Sequence, residues 1–97
     1  MRIISRSRLR EFWLKQPDSE ESLKSWYKVV EHAEWRSPQD VKEAFRTADV
    51  LQNGRMVFNI REDRFRIVVK FHYNTAMAYI RFVGTHKQYS SIDANTI

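Results

Sequence analysis

From Arg64 to Tyr73 the chain alternates between two kinds of side chain. Phe65, Ile67, Val69, Phe71 and Tyr73 fall on one side, while Arg64, Arg66, Val68, Lys70 and His72 fall on the other. A period of two over that length predicts a long β-strand with one face against a core. Arg55 to Ile60 repeats the pattern, with Met56, Phe58 and Ile60 apolar. Joined through a Glu62-Asp63 turn, the two strands pair Ile60 with Phe65, Phe58 with Ile67 and Met56 with Val69, so every apolar residue meets another. A turn at Asn74-Thr75 adds a third strand, pairing Phe71 with Ala78, Val69 with Ile80 and Ile67 with Phe82.

Upstream of the Asn53-Gly54 turn signal the apolar spacing is helical instead. Arg2-Ile-Ile4 is a short strand candidate, and Ser5 can cap a helix carrying Leu9, Phe12 and Trp13, which Pro17 stops. Asp18 followed by Glu21 has the spacing of a capping box. The helix it opens runs to about Trp35, with Leu23, Trp26, Tyr27, Val30 and Ala33 on one stripe. Ser37, Pro38 and Asp40 start a third helix that buries Val41, Ala44 and Phe45. Aromatic residues at this spacing are core residues rather than a binding platform. The pattern as a whole predicts an α+β fold over residues 1–97, forming one domain without repeats or linkers. Its short N-terminal strand and two to three helices pack on one face of a three- to four-stranded antiparallel sheet.

Composition narrows the functional classes. There is no cysteine, which excludes disulfides, thiolate metal sites and a cysteine nucleophile, and suits a reducing cytoplasm. The apolar runs span only a few residues, so neither a signal peptide nor a membrane-spanning helix is expected. Seventeen Lys and Arg against twelve Asp and Glu leave a net charge of +5, which favours an acidic partner. Distribution sharpens this, because between Arg55 and Lys87 only Glu62 and Asp63 oppose the cations.

The strand registers gather those cations on the sheet face turned away from the helices. That face carries Arg55, Val57 and Asn59, then Arg66, Val68, Lys70 and His72, then Met77, Tyr79, Arg81 and Val83, with Arg81 expected opposite Val68. Arginine forks grip phosphates, and a tyrosine ring offers a base a surface to stack on. Arg55, Asn59, Lys70, His72 and Tyr79 are therefore RNA-binding candidates, set against the simpler reading of a solvated basic face. Beyond the third strand, Gly84 frees the backbone and His86, Lys87 and Tyr89 reach the rim of the same face. Histidine moves protons near neutral pH, so this segment is a candidate for chemistry. His32, inside the second helix, is a bystander.

Tyr79-Ile-Arg81 followed by Thr85-His-Lys-x-Tyr89, and preceded by Arg66-Ile-Val-Val and the strand containing Asn59, resembles the HigB-type toxins of the RelE-like superfamily. The resemblance extends over nearly the whole chain, including Pro38-Gln-Asp-Val-Lys of the third helix. It implies the toxin of a type II toxin–antitoxin system: an endoribonuclease (mRNA interferase) that cuts messages on the ribosome. It also implies neutralisation by a HigA-like helix-turn-helix antitoxin, which would supply any operator DNA contacts. Arg66, Arg81, His86, Lys87 and Tyr89 match the family's positions and are the catalytic candidates. Ser90 departs from the pattern, since relatives often carry an acidic residue there.

Cleaving RNA requires removing the 2′-hydroxyl proton, stabilising the phosphorane and protonating the departing 5′-oxygen. Arg66 and Arg81 suit the second task, and His86 with Lys87 or Tyr89 the proton transfers. No His, Asp or Glu cluster has metal-ligand spacing, so neither a metal nor another cofactor is expected. The competing expectation is a module that blocks RNA or ribosome, inhibiting translation without cutting.

Overall fold

The meander expected downstream of Asn53-Gly54 forms, and it sits within a wider, mixed sheet. A computed structural model describes residues 1–97. In chain order it contains β1 (Arg2–Ile4), α1 (Arg6–Lys15), α2 (Glu20–His32), α3 (Pro38–Ala44), β2 (Asp49–Val50), β3 (Arg55–Ile60), β4 (Phe65–His72), β5 (Met77–Thr85) and a one-turn helix, α4 (His86–Tyr89). The five strands lie in the order β1-β5-β4-β3-β2. Two edges extend the antiparallel centre: β2 pairs antiparallel with β3, and β1 runs parallel to β5. No helix is long and apolar enough to cross a membrane.

Helix boundaries follow local chemistry, with two corrections. Ser37 caps α3 as expected, its hydroxyl accepting from the Asp40 amide. Asp18 does not cap α2, because Pro17–Ser19 form a separate 3-10 turn and α2 begins at Glu20. The Asp18 carboxylate instead pairs with Arg61 and Arg64 of the β3–β4 turn, at 3.0 and 3.4 Å. The second helix also ends earlier than its apolar stripe predicts, at His32. There the Met1 nitrogen donates to the Glu31 and Ala33 carbonyls, two of the acceptors a helix end leaves free.

The period-two pattern works as the sequence implies. Leu9, Leu23, Trp26, Val30 and Val41 from the helices meet Met56, Phe58, Ile60, Ile67, Val69, Phe71 and Ile80 from the sheet in one buried cluster. Phe58 is its hub, with the rings of Trp26, Phe45 and Phe71 set edge-on at 5.4, 5.2 and 6.1 Å. All three β3–β4 pairs inferred from sequence are present.

The β4–β5 register holds only in part. Phe71 faces Ala78 and Val69 faces Ile80, but Val68 then faces Phe82 and Ile67 faces Val83. Arg81 is thus an extra residue, a β-bulge, and the alternation of β5 reverses across it. Phe82 turns to the cationic face, while Val83, expected on that face, packs toward the helices. Arg8 of α1 donates to the Arg81 carbonyl at 2.9 Å, satisfying an acceptor at the irregularity.

A second correction concerns cover. Residues 90–97 fold back across the cationic face, where Ile92, Ala94 and Ile97 pack with Val57, Val68, Leu51, Phe82 and Tyr89. The Asn95 side chain accepts from the Gln52 amide at 3.0 Å, and the main-chain oxygen of Ile97 accepts from Arg55 Nε at 2.8 Å. The middle of that face is consequently a second, small core.

Phe58→Ala should cost about 3–5 kcal/mol, a large part of the roughly 5–15 kcal/mol that holds a domain of this size. Urea denaturation should show that loss in the midpoint. Tyr73 sets a pH limit: burial, reinforced by the Asp40 carboxylate, pushes its phenol up from 10.0 to about 12. Because the unfolded chain then releases this proton first, the stability held below pH about 10 is lost as pH rises toward about 12. Denaturation of Tyr73→Phe, compared with the parent at about pH 9 and about pH 11.5, should lack that alkaline component.

Candidate active site

The segment after β5 is placed by a short chain of local causes. Thr85 and Gln88 form a reciprocal capping box, the Gln88 side chain accepting from the Thr85 amide and the Thr85 hydroxyl from the Gln88 amide. Ser90 donates its hydroxyl to the His86 carbonyl at 3.0 Å. The His86 amide donates to the Arg64 carbonyl at 3.2 Å, which ties α4 to the β3–β4 turn. Gly84 lies behind this helix. A Cβ there would stand 2.5 Å from the Phe82 ring tip and 2.8 Å from Gln88 Oε1, so any larger residue must displace those side chains.

That arrangement brings three of the catalytic candidates together. The Arg66 guanidinium lies over the Tyr89 ring at 4.7 Å. A carboxylate completes the group: Asp63 lies 3.0 Å from Arg66 Nη2 through one oxygen and 3.8 Å from His86 Nε2 through the other. Arg66 Nε is buried and has no hydrogen-bond partner. An unpaired buried donor costs on the order of 1–3 kcal/mol, which the ion pair with Asp63 and the contact with Tyr89 offset in part. Lys87 is exposed and makes no hydrogen bond or ion pair.

The remaining candidates lie further along the face. Arg81, on its bulge, turns Nε toward the Ile97 main-chain oxygen at 3.4 Å, the same atom that holds Arg55. No hydrogen bond or ion pair joins it to Arg66, His86 or Tyr89, and Phe82 rather than Arg81 stands across from Val68. Arg81 also lines a cleft of about 630 Å³ with Arg8, Lys15, Phe82 and Gln88. Arg55 is buried, so it is not the open contact the face argument expects. Asn59, opposite Arg66, spends its amide on the Thr47 carbonyl. Lys70 and Tyr79 face one another, and the His72 ring meets Tyr79 edge-on at 5.1 Å. Six residues of strand separate Arg66 from His72, roughly 20 Å, so the two ends of the face cannot hold one phosphodiester between them.

Two features escaped the sequence reading. Asp63 is read there as a turn residue, and only the folded hairpin brings it to His86. The strap of residues 90–97 did leave a signal, since Val57 and Val68 interrupt the charged face and need apolar cover. No three His, Asp or Glu side chains converge anywhere in the chain.

With helices on one side of a meander and an arginine–histidine–tyrosine group at its rim, the architecture is that of the RelE-like toxins. The family model for HigB toxins, described as the RelE-like toxic component of a toxin–antitoxin system, matches residues 19–92, and the chain belongs to that family. The mRNA interferase toxin HigB of Escherichia coli K12 is similar at 25% identity over 96 residues, covering 97% of this chain and 92% of that one. The mRNA interferase HigB of Shigella flexneri matches to the same extent. That of Escherichia coli O6:H1 is 21% identical over 94 residues, covering 95% and 91%.

Gly84→Ala should push Gln88 out of the capping box. Because α4 has only one turn, it cannot hold itself without that box. Exchange of the Gln88 and Ser90 amides should accelerate markedly while Tm falls by only a few degrees, about what losing one cap implies. Unchanged exchange would mean α4 is held by other contacts.

Proposed function

We propose that this chain is the toxin of a type II toxin–antitoxin system and acts as a metal-independent endoribonuclease on mRNA, cutting messages engaged by the ribosome. One observation carries the reading: Arg66, His86 and Tyr89 meet at the rim of a cationic sheet face, in a chain belonging to a toxin family. Relatives described as mRNA interferases supply the substrate class.

Cleavage follows as an in-line displacement. The 2′-oxygen loses its proton to a base on the protein and bonds to the adjacent phosphorus. The bond to the 5′-oxygen breaks, and that oxygen takes a proton from an acid. Arg66, desolvated against Tyr89, offers donors to the phosphorane as its charge grows, where a fixed cation is worth more than in water. His86 is one of the two proton-transfer groups, and Tyr89 or the exposed Lys87 the other. Arg81, released from the Ile97 oxygen, can reach a neighbouring phosphate, while Lys70, Tyr79 and His72 guide the strand further along the face. A HigA-like antitoxin neutralises the toxin and carries any operator DNA contact.

His86→Ala and Arg66→Ala should fold normally and lose growth inhibition when expressed without antitoxin. Cleavage of a translated reporter message should fall by about 10²–10⁴-fold for His86→Ala. Primer extension on transcripts from expressing cells reads the result directly. Blocked translation over intact messages would replace cutting with the non-cleaving alternative, and full toxicity in both variants would remove the assigned site.

A further inference from the structure

Asp63 is the carboxylate nearest the candidate site, and its position is held by backbone. It belongs to the Arg61–Arg64 turn, where Arg61 and Glu62 adopt φ of 51° and 65°, a left-handed pair in which Asn-Gly would rest without strain. The turn keeps this conformation against local preference. Asp18 anchors it from one side through Arg61 and Arg64, and the His86 amide from the other through the Arg64 carbonyl. Carboxylate and imidazole therefore sit on two segments that are bonded to each other. Each Asp63 oxygen has its own partner, Oδ1 with Arg66 Nη2 at 3.0 Å and Oδ2 with His86 Nε2 at 3.8 Å. Glu62, one residue earlier, makes no ion pair.

Resting on the nuclease reading above, we propose that Asp63 is a positioning residue that orients His86 and selects its tautomer. An ionised carboxylate only accepts, so the imidazole nitrogen facing it carries the hydrogen. Nε2 is that nitrogen, which leaves Nδ1 with the free lone pair. His86 is then the base: Nδ1 takes the 2′-hydroxyl proton as the O2′–P bond forms and the P–O5′ bond breaks. At 3.8 Å the pair is a small rotation of the ring away from hydrogen-bond distance. The same carboxylate sets the plane of the Arg66 guanidinium over Tyr89. Asp63 is the one charged side chain that the imidazole pairs with, since the Arg64 guanidinium is turned to Asp18. The side chain is 61% exposed, and ion pairs this open contribute little to stability, so its removal should change rate rather than folding.

Two measurements test this, one of them independent of catalysis. Long-range proton–nitrogen spectra of the purified toxin, with the His86 signals assigned by their absence in His86→Ala, report the neutral tautomer. The parent should show hydrogen on Nε2, and Asp63→Asn should lose that preference. Identical tautomer populations in parent and Asp63→Asn would overturn the proposal whatever happens to cleavage. In the reporter assay, Asp63→Asn should lower kcat by on the order of 10²-fold with KM nearly unchanged. Asp63→Glu should recover part of the rate, and Glu62→Gln should match the parent. In a His86→Ala background the effect of Asp63→Asn should shrink well below 10²-fold, to what its bond to Arg66 contributes, because the larger part acts through the imidazole. An additive loss there would overturn the role assigned to Asp63. Full cleavage by His86→Ala alone would strike the nuclease site instead, and the spectra would still decide whether Asp63 holds the ring.

Discussion

A β-strand has two sides, and β4 commits both. Once Phe65, Ile67, Val69 and Phe71 are buried beneath the helices, the two-residue repeat forces Arg66, Val68, Lys70 and His72 onto the opposite surface. The cationic face is thus the geometric complement of the core. A slip of one residue would bury three titratable side chains and expose four large apolar ones. The stability of the aromatic cluster around Phe58 and the placement of Arg66 are therefore one constraint seen from two sides.

Sequence made that constraint legible where alternation was unambiguous. In β3 and β4 Met56, Phe58 and Ile60 and then Phe65, Ile67, Val69 and Phe71 recur at every second position, despite Val57 and Val68 on the other side, and the pairing they specify is the one observed. In β5 the adjacent Phe82 and Val83 both satisfy an apolar partner, and no pattern distinguishes a regular ladder from a bulged one. The helices were legible from their stripes, but the start of α2 was not. Asp18 has the spacing of a cap, yet two arginines from a turn some forty residues away compete for its carboxylate. Of the candidate site, Arg66, His86 and Tyr89 were readable as residues on one face. Asp63 was not, because its nearness to His86 exists only once the β3–β4 turn and the end of β5 lie side by side.

Holding like charges on one face is unfavourable by some tenths of a kcal/mol per adjacent pair, and Arg55 stands directly across from Lys70. The chain answers with its own oxygens. The Asp63 carboxylate engages Arg66, and the Ile97 main-chain oxygen engages Arg55 and Arg81. These acceptors occupy the donors that a phosphate would use, so the guanidinium groups are oriented before any ligand arrives. A polyanion meeting this face would have to exchange partners with it rather than fill empty space. The apolar residues of the strap, packed on Val57 and Val68, keep that exchange local by anchoring the middle of the sheet.

Arg81 is the one residue of β5 that the ladder does not require. If it were excised, Ile80 would still face Val69 and Phe82 would still face Val68, and each neighbour would keep its present side of the sheet. Hydrogen bonding between the strands would become continuous. The extra residue is an exposed arginine, and at the irregularity its carbonyl is taken up by Arg8 of α1 while its Nε turns to the Ile97 main-chain oxygen, so the bulge ties three separate segments together.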